Sequence, residues 1–367
     1  MKHLLAEKLK KQTMSFDTWG KTSWHYVQAL VLKSYFDDFT QRGNTLSFEY
    51  GKAFIEKLYN DQGIIPSIDL NYYSIDQIRP CSALFQLYHQ DPNPKYKKVL
   101  DDLFTQLTTT YPRTASGNFF HKENYPHQVW LDGLYMGQPF YVEYIKTFKE
   151  TKDYQDTINQ FENVLKKAYV EETKLFIHAY DESKSMFWCD PKTGHSPHVW
   201  GRAVGWVVMA LVDVLELLEG EPVDTKPLID MLKITVDGML GYQDKSGLWY
   251  QVVNFQGKEG NYLETSGTAM MSYGLLKAVR LGYLDSSYQS IGVHAFNGIC
   301  DKYLFERDGE VILGGICKSA GLGKHPELGN IRSGSYEYYV YEEKMVENNG
   351  HGIGAFLNAY NEIQYLP

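Results

Sequence analysis

Asp132 lies in the segment Trp130-Leu131-Asp132-Gly133-Leu134-Tyr135-Met136-Gly137-Gln138-Pro139-Phe140, a carboxylate set among apolar and aromatic residues. An ionised carboxylate is costly to bury without a partner, and the usual relief is to keep its proton. An acid that holds its proton near neutral pH can serve as a general acid. Asp is also a common helix N-cap, and position alone leaves both roles open. A second acid, Asp76, sits between isoleucines in Tyr73-Ser74-Ile75-Asp76-Gln77-Ile78 and carries the same two readings. If the two carboxylates open neighbouring helices they face each other, and their repulsion leaves one protonated and one ionised.

Three further clusters carry polar chemistry. His121-Lys122-Glu123-Asn124-Tyr125-Pro126-His127-Gln128 directly precedes the Asp132 segment, and His121 with Lys122 can grip an anion. A solvated loop is the ordinary alternative. Ile177-His178-Ala179-Tyr180-Asp181 offers His178 to orient or protonate a ligand, or as a hydrogen-bonded core histidine. In Trp200-Gly201-Arg202-Ala203-Val204-Gly205-Trp206, Arg202 and Trp206 are four apart and share a helix face. An arginine beside a tryptophan can clamp a carboxylate and stack a ring, or simply pack. His195 and His198 find no residues that complete a metal-ligand set with them, so no metal is expected. GxSxG, HExxH and GxGxxG are absent, and Gly321-Leu322-Gly323-Lys324 lacks the rest of a P-loop, so no nucleotide or other cofactor is expected.

Helices must position these groups. Apolar residues recur at three- and four-residue spacing over Ser47–Tyr59, Val99–Thr109, Gln138–Lys149, Tyr154–Tyr169, Ala203–Leu218 and Thr268–Leu281. Short strands are predicted only at Leu248–Val253 and Val311–Leu313. Six helix starts share one character: a polar or aromatic cluster, small residues, then an apolar run. They fall near Trp24, Asp76, Asp132, Arg202, Ser266 and Gly352. Each interval suits one helix out, a loop and one helix back. Six such hairpins close into a double ring, or stack as an open array. In a ring the six inner helices start at one end, and their positive dipole ends share a mouth suited to an anion. No linker or charge block divides the chain, so one domain over 1–367 is expected.

Bulk properties set the outer limits. The 367 residues include 43% hydrophobic and 15% aromatic side chains, with 29 Tyr, 18 Phe and 7 Trp. Rings in such number mildly favour a carbohydrate site, although each single ring is more simply core. A net charge of −9 speaks against nucleic-acid or anionic-membrane partners. Cys81, Cys189, Cys300 and Cys317 are far apart and read as buried thiols of a reducing compartment. The lysine-rich start is not followed by an apolar stretch, and no run is long enough for a bilayer. A cytoplasmic protein is expected, as a monomer or weak homodimer.

Three motifs in order resemble glycoside hydrolase family 105, the unsaturated rhamnogalacturonyl hydrolases. They are Trp130–Gly137, Trp200–Trp206, and Gly334-Ser335-Tyr336-Glu337-Tyr338-Tyr339 with Asn349-Gly350-His351-Gly352-Ile353-Gly354-Ala355-Phe356-Leu357. The likeness runs from about Trp24 to Glu362. It implies an all-α (α/α)6 barrel and a substrate left by a polysaccharide lyase, an oligosaccharide with a Δ4,5-unsaturated uronic acid at its non-reducing end. It implies hydration of the C4=C5 vinyl ether rather than attack at the anomeric carbon. By that resemblance Asp132 protonates C4 and then activates the water that adds at C5, with Asp76 and His178 in support. Substrate contacts are implied at His121, Lys122, Trp130, Arg202 and Trp206, with Met136 and Trp200 added as candidates. Asn349-Gly350-His351 departs from a more charged run, which bears on the leaving sugar. The expected substrate is unsaturated rhamnogalacturonan disaccharide. An unsaturated glucuronyl hydrolase acting on another polysaccharide, a sugar epimerase using facing histidines on the same barrel, and a non-catalytic saccharide binder are the alternatives.

Overall fold

Apolar side chains occupy nearly every position from Ala203 to Leu215, a pattern that suits only a helix surrounded by protein. The computed structural model, which describes residues 2–15, 23–325 and 328–366, shows that surrounding. Twelve α-helices follow one another among the described residues: α1 Lys2–Ser15, α2 Tyr26–Arg42, α3 Thr45–Glu56, α4 Cys81–Gln90, α5 Pro94–Thr109, α6 Asp132–Phe148, α7 Gln155–Ala168, α8 Gly201–Leu217, α9 Lys226–Leu240, α10 Thr265–Arg280, α11 Ser287–Tyr303 and α12 Gly350–Ile363. The even-numbered helices pack side by side as an inner ring, and α12 closes it against α2. The odd-numbered helices lie outside them. This is the (α/α)6 barrel, closed rather than an open array.

Burial separates the two rings. Every residue of α12 is buried, and so is every residue of α8 through Leu215. The outer α5 and α7 bury one stripe each, Tyr96, Val99, Leu100, Leu103, Phe104 and Leu107 on the first, Ile158, Phe161 and Val164 on the second. Inner helices approach closely where side chains vanish. A Cβ at Gly274 of α10 would stand 2.1 Å from Val208 of α8, and one at Gly267 would stand 2.8 Å from the Gly201 backbone. The ring seam between α12 and α2 is stitched by Asn358 and Asn361, whose amides donate to the carbonyls of Leu30 at 3.0 Å and Ser34 at 2.7 Å.

The inner helices start at one end. Tyr26 of α2 bonds His351 of α12 through its hydroxyl at 2.9 Å. Arg202 of α8 donates to Ser266 of α10 at 3.1 Å. Tyr135 of α6 stacks on Trp206 of α8 with ring centroids 4.8 Å apart. Short antiparallel strand pairs brace the loops at this end: Gln128–Trp130 with Ala179–Asp181, Trp249–Tyr250 with Leu263–Glu264, and Ile316–Cys317 with Met345–Val346. The predicted strand at Val311–Leu313 is present as Glu310–Leu313, paired with Leu304–Arg307.

Toward the far ends of the same helices, three cations converge on one acid. Lys277 Nζ lies 2.7 Å from Asp213 Oδ1, Arg79 Nη2 lies 3.7 Å from Oδ2, and Lys33 Nζ lies 3.9 Å from Oδ1. The Tyr273 hydroxyl donates to the same carboxylate at 2.5 Å. Burial alone would raise the Asp213 pKa, but Lys277, Lys33 and Arg79 overcome it and hold the group well below the usual carboxylate range.

The boundaries differ from expectation in instructive places. Asp76 does not open α4. It sits in a 3-10 turn, Ile75–Gln77, and the α-helix begins only after Pro80. The helix α11 shows no clear period in sequence, because its buried positions include the small residues Gly292, Ala295 and Gly298. Cys189 is half-buried, unlike the other three thiols. No described helix is long and apolar enough to cross a membrane.

Candidate active site

Asp132 is the first residue of α6, and no side-chain hydrogen bond caps that helix. The cap reading therefore falls away, because the carboxylate faces elsewhere. Its Oδ2 is buried, makes no hydrogen bond, and lies 3.4 Å from Nε2 of His178. Strand pairing explains the meeting. Trp130 is opposite Ala179, so Asp132 and His178 leave the same two-strand ladder at the same end. The Leu131 N–H donates to the His178 carbonyl at 3.1 Å, which fixes the two backbones together.

Asp76 and Asp132 act on the same neighbours, His121 and Tyr26, but Asp76 is held by a cation. It accepts from Lys122 Nζ at 2.7 Å and lies 3.8 Å from His121 Nε2. Burial would raise its pKa, but Lys122 and His121 prevail and the group is held below its ordinary value. Lys122 is held above its own usual value in return, with burial opposing and Asp76 prevailing. His121 goes the other way. Burial lowers it to about 4, with Lys122 adding to the fall and Asp76 opposing. The expected two-cation grip thus reduces to one cation, already paired, and a neutral ring.

That ring is part of an aromatic wall. His121 stacks on Trp130 at 4.5 Å and 4°, and Tyr125 stacks on Trp130 at 5.0 Å. Arg332 clamps the far side by donating to the Tyr125 hydroxyl at 2.8 Å. The Trp130 indole donates to Gln128 at 3.1 Å and meets His178 edge-on at 5.3 Å. Trp130 thus contacts both His121 and His178.

Arg202 forms the opposite side. Its guanidinium lies 4.7 Å from the Trp200 ring centre. Nη1 donates to Ser266 at 3.1 Å and to the Cys317 carbonyl at 2.7 Å, while Nε and Nη2 are buried with no hydrogen-bond partner. Glu264 sets this up: it accepts from the Ser266 hydroxyl at 2.7 Å and from the N–H groups of Ser266, Gly267 and Cys317. Trp200 lies 4.8 Å from His178 and donates to Gln251 at 3.1 Å.

Trp206 and Met136 are one turn deeper than Arg202 and Asp132 respectively, and each is 1% exposed. Trp206 packs between Tyr135 and Tyr26, so it forms the floor rather than an open platform for a sugar. The groups share one space: Tyr26, whose hydroxyl is pushed up chiefly by burial, also feels Asp76, Arg202, Lys122 and Asp132.

Several residues escaped the sequence reading. Tyr339 bonds His178 Nδ1 through its hydroxyl at 2.6 Å. Gln251, Glu264, Ser266, Cys317, Tyr125 and Arg332 hold the walls. Tyr339 lies inside a motif already noted, but nothing in its neighbours marks the contact.

The sequence pattern described as Glycosyl Hydrolase Family 88 matches residues 2–366. A solved structure from C. acetobutylicum, described as a glycoside hydrolase from family 105, superposes with a TM-score of 0.91 at 37% identity, covering 100% of this chain and 99% of that one. A protein of Agrobacterium fabrum is 38% identical over 236 residues, 63% of this chain and 99% of its own length. An unsaturated rhamnogalacturonyl hydrolase of Bacillus subtilis is 22% identical over 285 residues, 76% of each chain.

Proposed function

The chain belongs to Glycosyl Hydrolase Family 88, and from that premise we propose that it removes a Δ4,5-unsaturated uronic acid from lyase-generated oligosaccharides, with unsaturated rhamnogalacturonan disaccharide as substrate. The observation that carries this reading is the buried, unpartnered Oδ2 of Asp132 beside His178. With no cap or cation bonded to Oδ2, the carboxyl is not tied up at rest, and its other oxygen, Oδ1, can carry a proton to a substrate atom while Oδ2 faces His178.

Asp132 gives its proton to C4 of the alkene. Positive charge builds at C5, shared with the ring oxygen, and the Asp132 carboxylate stabilises it. Water adds at C5 and returns a proton to Asp132. The hemiketal opens, and the glycosidic bond at C1 breaks without further catalysis. Arg202 has two nitrogens to spare, Nε and Nη2, on one edge of a rigid fork, which suits the uronate carboxylate. The wall of His121, Trp130 and Tyr125 offers a face for the sugar. An epimerase on this barrel needs two histidines facing one another. Here His121 lies flat on Trp130, and His351 bonds Tyr26 and Asn349. That arrangement favours the hydrolase.

The test is incubation with lyase-generated unsaturated rhamnogalacturonan disaccharide while the ultraviolet absorbance of the conjugated uronate is followed. Absorbance is expected to decay, with a saturated uronide untouched. An absorbance that stays constant with every unsaturated uronate, whatever its parent polysaccharide, sinks the reading. Arg202→Ala is expected to raise KM roughly 10- to 100-fold, the equivalent of a charge-assisted hydrogen bond, and to change kcat little. Steady-state kinetics check this, and a loss confined to kcat counts against carboxylate binding by Arg202.

A further inference from the structure

Tyr339 lies in a π-helical turn, Tyr338–Glu342. Such widened turns recur at functional sites because they shift a side chain off α-helical register. This one is pinned on both sides. Gln251 Nε2 donates to the Tyr339 carbonyl at 3.2 Å, the Gly321 N–H donates to the Tyr338 hydroxyl at 3.0 Å, and that hydroxyl bonds Glu343. The result is a fully buried phenol 2.6 Å from Nδ1 of a fully buried imidazole. The chemistry described above places His178 beside Asp132 and leaves Tyr339 without a part.

Two senses of the bond are open to a phenol and a neutral imidazole. If Nδ1–H donated, the phenol proton would have no acceptor among the described residues. Once Asp132 has given up its proton, Nε2 would then turn a bare lone pair toward its carboxylate, two acceptors that are 3.4 Å apart at rest. If the phenol donates, its proton is used and Nε2–H points at Oδ2. Burial keeps the phenol protonated, well above its ordinary pKa, with Asp132 adding to the effect. The other charged or titratable groups near the trio include Tyr26, His121, His198, Arg202, Cys317, Arg332, Tyr338 and Glu343, and none of them bonds the imidazole nitrogens among the described residues.

We propose that Tyr339 is a positioning residue for the hydrolysis: its hydroxyl donates to Nδ1 of His178 and holds the tautomer that aims Nε2–H at Oδ2 of Asp132. This rests on the reading of Asp132 as the acid. The Nε2–Oδ2 separation is long for a hydrogen bond at rest, and it tightens as Asp132 gives up its proton and gains charge. Tyr339 therefore acts on the rate through His178, without touching substrate.

The test has two arms on the full chain. Long-range 15N–1H NMR of histidine-labelled protein at mildly alkaline pH reads the tautomer without any substrate. The wild type is expected to show His178 with Nδ1 bare and Nε2 protonated, and Tyr339→Phe a mixture. A protonated Nδ1 in the wild type overturns the proposal, and this spectrum decides the tautomer even if the variant does not fold. In the kinetic arm, Tyr339→Phe is expected to lower kcat about tenfold, as the loss of one such bond would, with KM little changed. The alkaline limb of kcat/KM moves to higher pH, because the carboxylate loses a donor that favoured its charged form. An unchanged kcat, or a change in KM alone, overturns the positioning role. If the wild type hydrates no unsaturated uronate, the functional reading fails while the tautomer result still stands or falls alone.

Discussion

Asp132→Asn is expected to cut kcat about a thousandfold, the usual weight of a general acid–base group, and to leave KM near its wild-type value. Asparagine keeps the shape of the side chain and an oxygen for His178, so the walls of the site stay in place. It has no proton to give to carbon and cannot take one from water, so both halves of the hydration are lost together. Stopped-time ultraviolet assays with a saturating unsaturated disaccharide measure kcat, and calorimetric titration checks that binding persists. Full activity in this variant would remove Asp132 from the reaction. Asp76→Asn is the informative contrast. It strips Lys122 of its counter-charge, so its loss should show in binding and in stability as well as in turnover.

Asp213→Ala carries the largest expected effect on stability. The carboxylate is 7% exposed and neutralises Lys277, which is 3% exposed, with Arg79 and Lys33 nearby. Removing it leaves buried Arg79 without this carboxylate and buried Lys277 with only the more exposed Glu216, a change that costs about 3–5 kcal/mol. For a chain of this size that lowers Tm by about 4–7 °C, readable by calorimetry. The pH dependence has a definite sign. The folded pKa lies well below the ordinary carboxylate value because Lys277, Lys33 and Arg79 outweigh burial, so the group's contribution is complete above the ordinary range and fades as pH falls through the folded value. The gap between wild type and Asp213→Asn should stay constant from neutral to mildly acidic pH and narrow only below about pH 4. A gap that narrows already near neutrality would mean that Asp213 is not the charge that holds Lys277.

The inner ring was legible because its helix starts repeat one pattern. A polar or aromatic residue precedes small residues and then an apolar run, as in Trp200-Gly201-Arg202 and Glu264-Thr265-Ser266-Gly267. The outer α11 was not, since glycine and alanine at its buried positions carry little periodic signal. Asp132 stood out because a carboxylate among apolar residues needs a reason. Its actual neighbour could not be read, because the contact with His178 depends on which strands pair. Tyr339 reaches His178 across 161 residues of sequence, and its placement needs a π-turn that side-chain types do not announce. His121 was a candidate to grip an anion with Lys122, and its neutral state follows from burial, which only the packing reveals. The Cys317 carbonyl that anchors Arg202 is backbone, invisible to any reading of residue types.

The seam between α12 and α2 has a consequence for biogenesis. Asn358 and Leu30 are joined across 328 residues, and Asn361 and Ser34 across 327. During synthesis the first inner helix therefore waits for almost the whole remaining chain before its second flank is covered. Contacts of such long range are slow to form, because the closure entropy is lost before they reward it. Tyr339 and His351 also emerge late, so a nascent chain has neither the finished wall nor the finished floor of the site. Until then, the uncovered flank of α2, apolar at Leu30 and Val31, is a surface for chaperones or for misassembly.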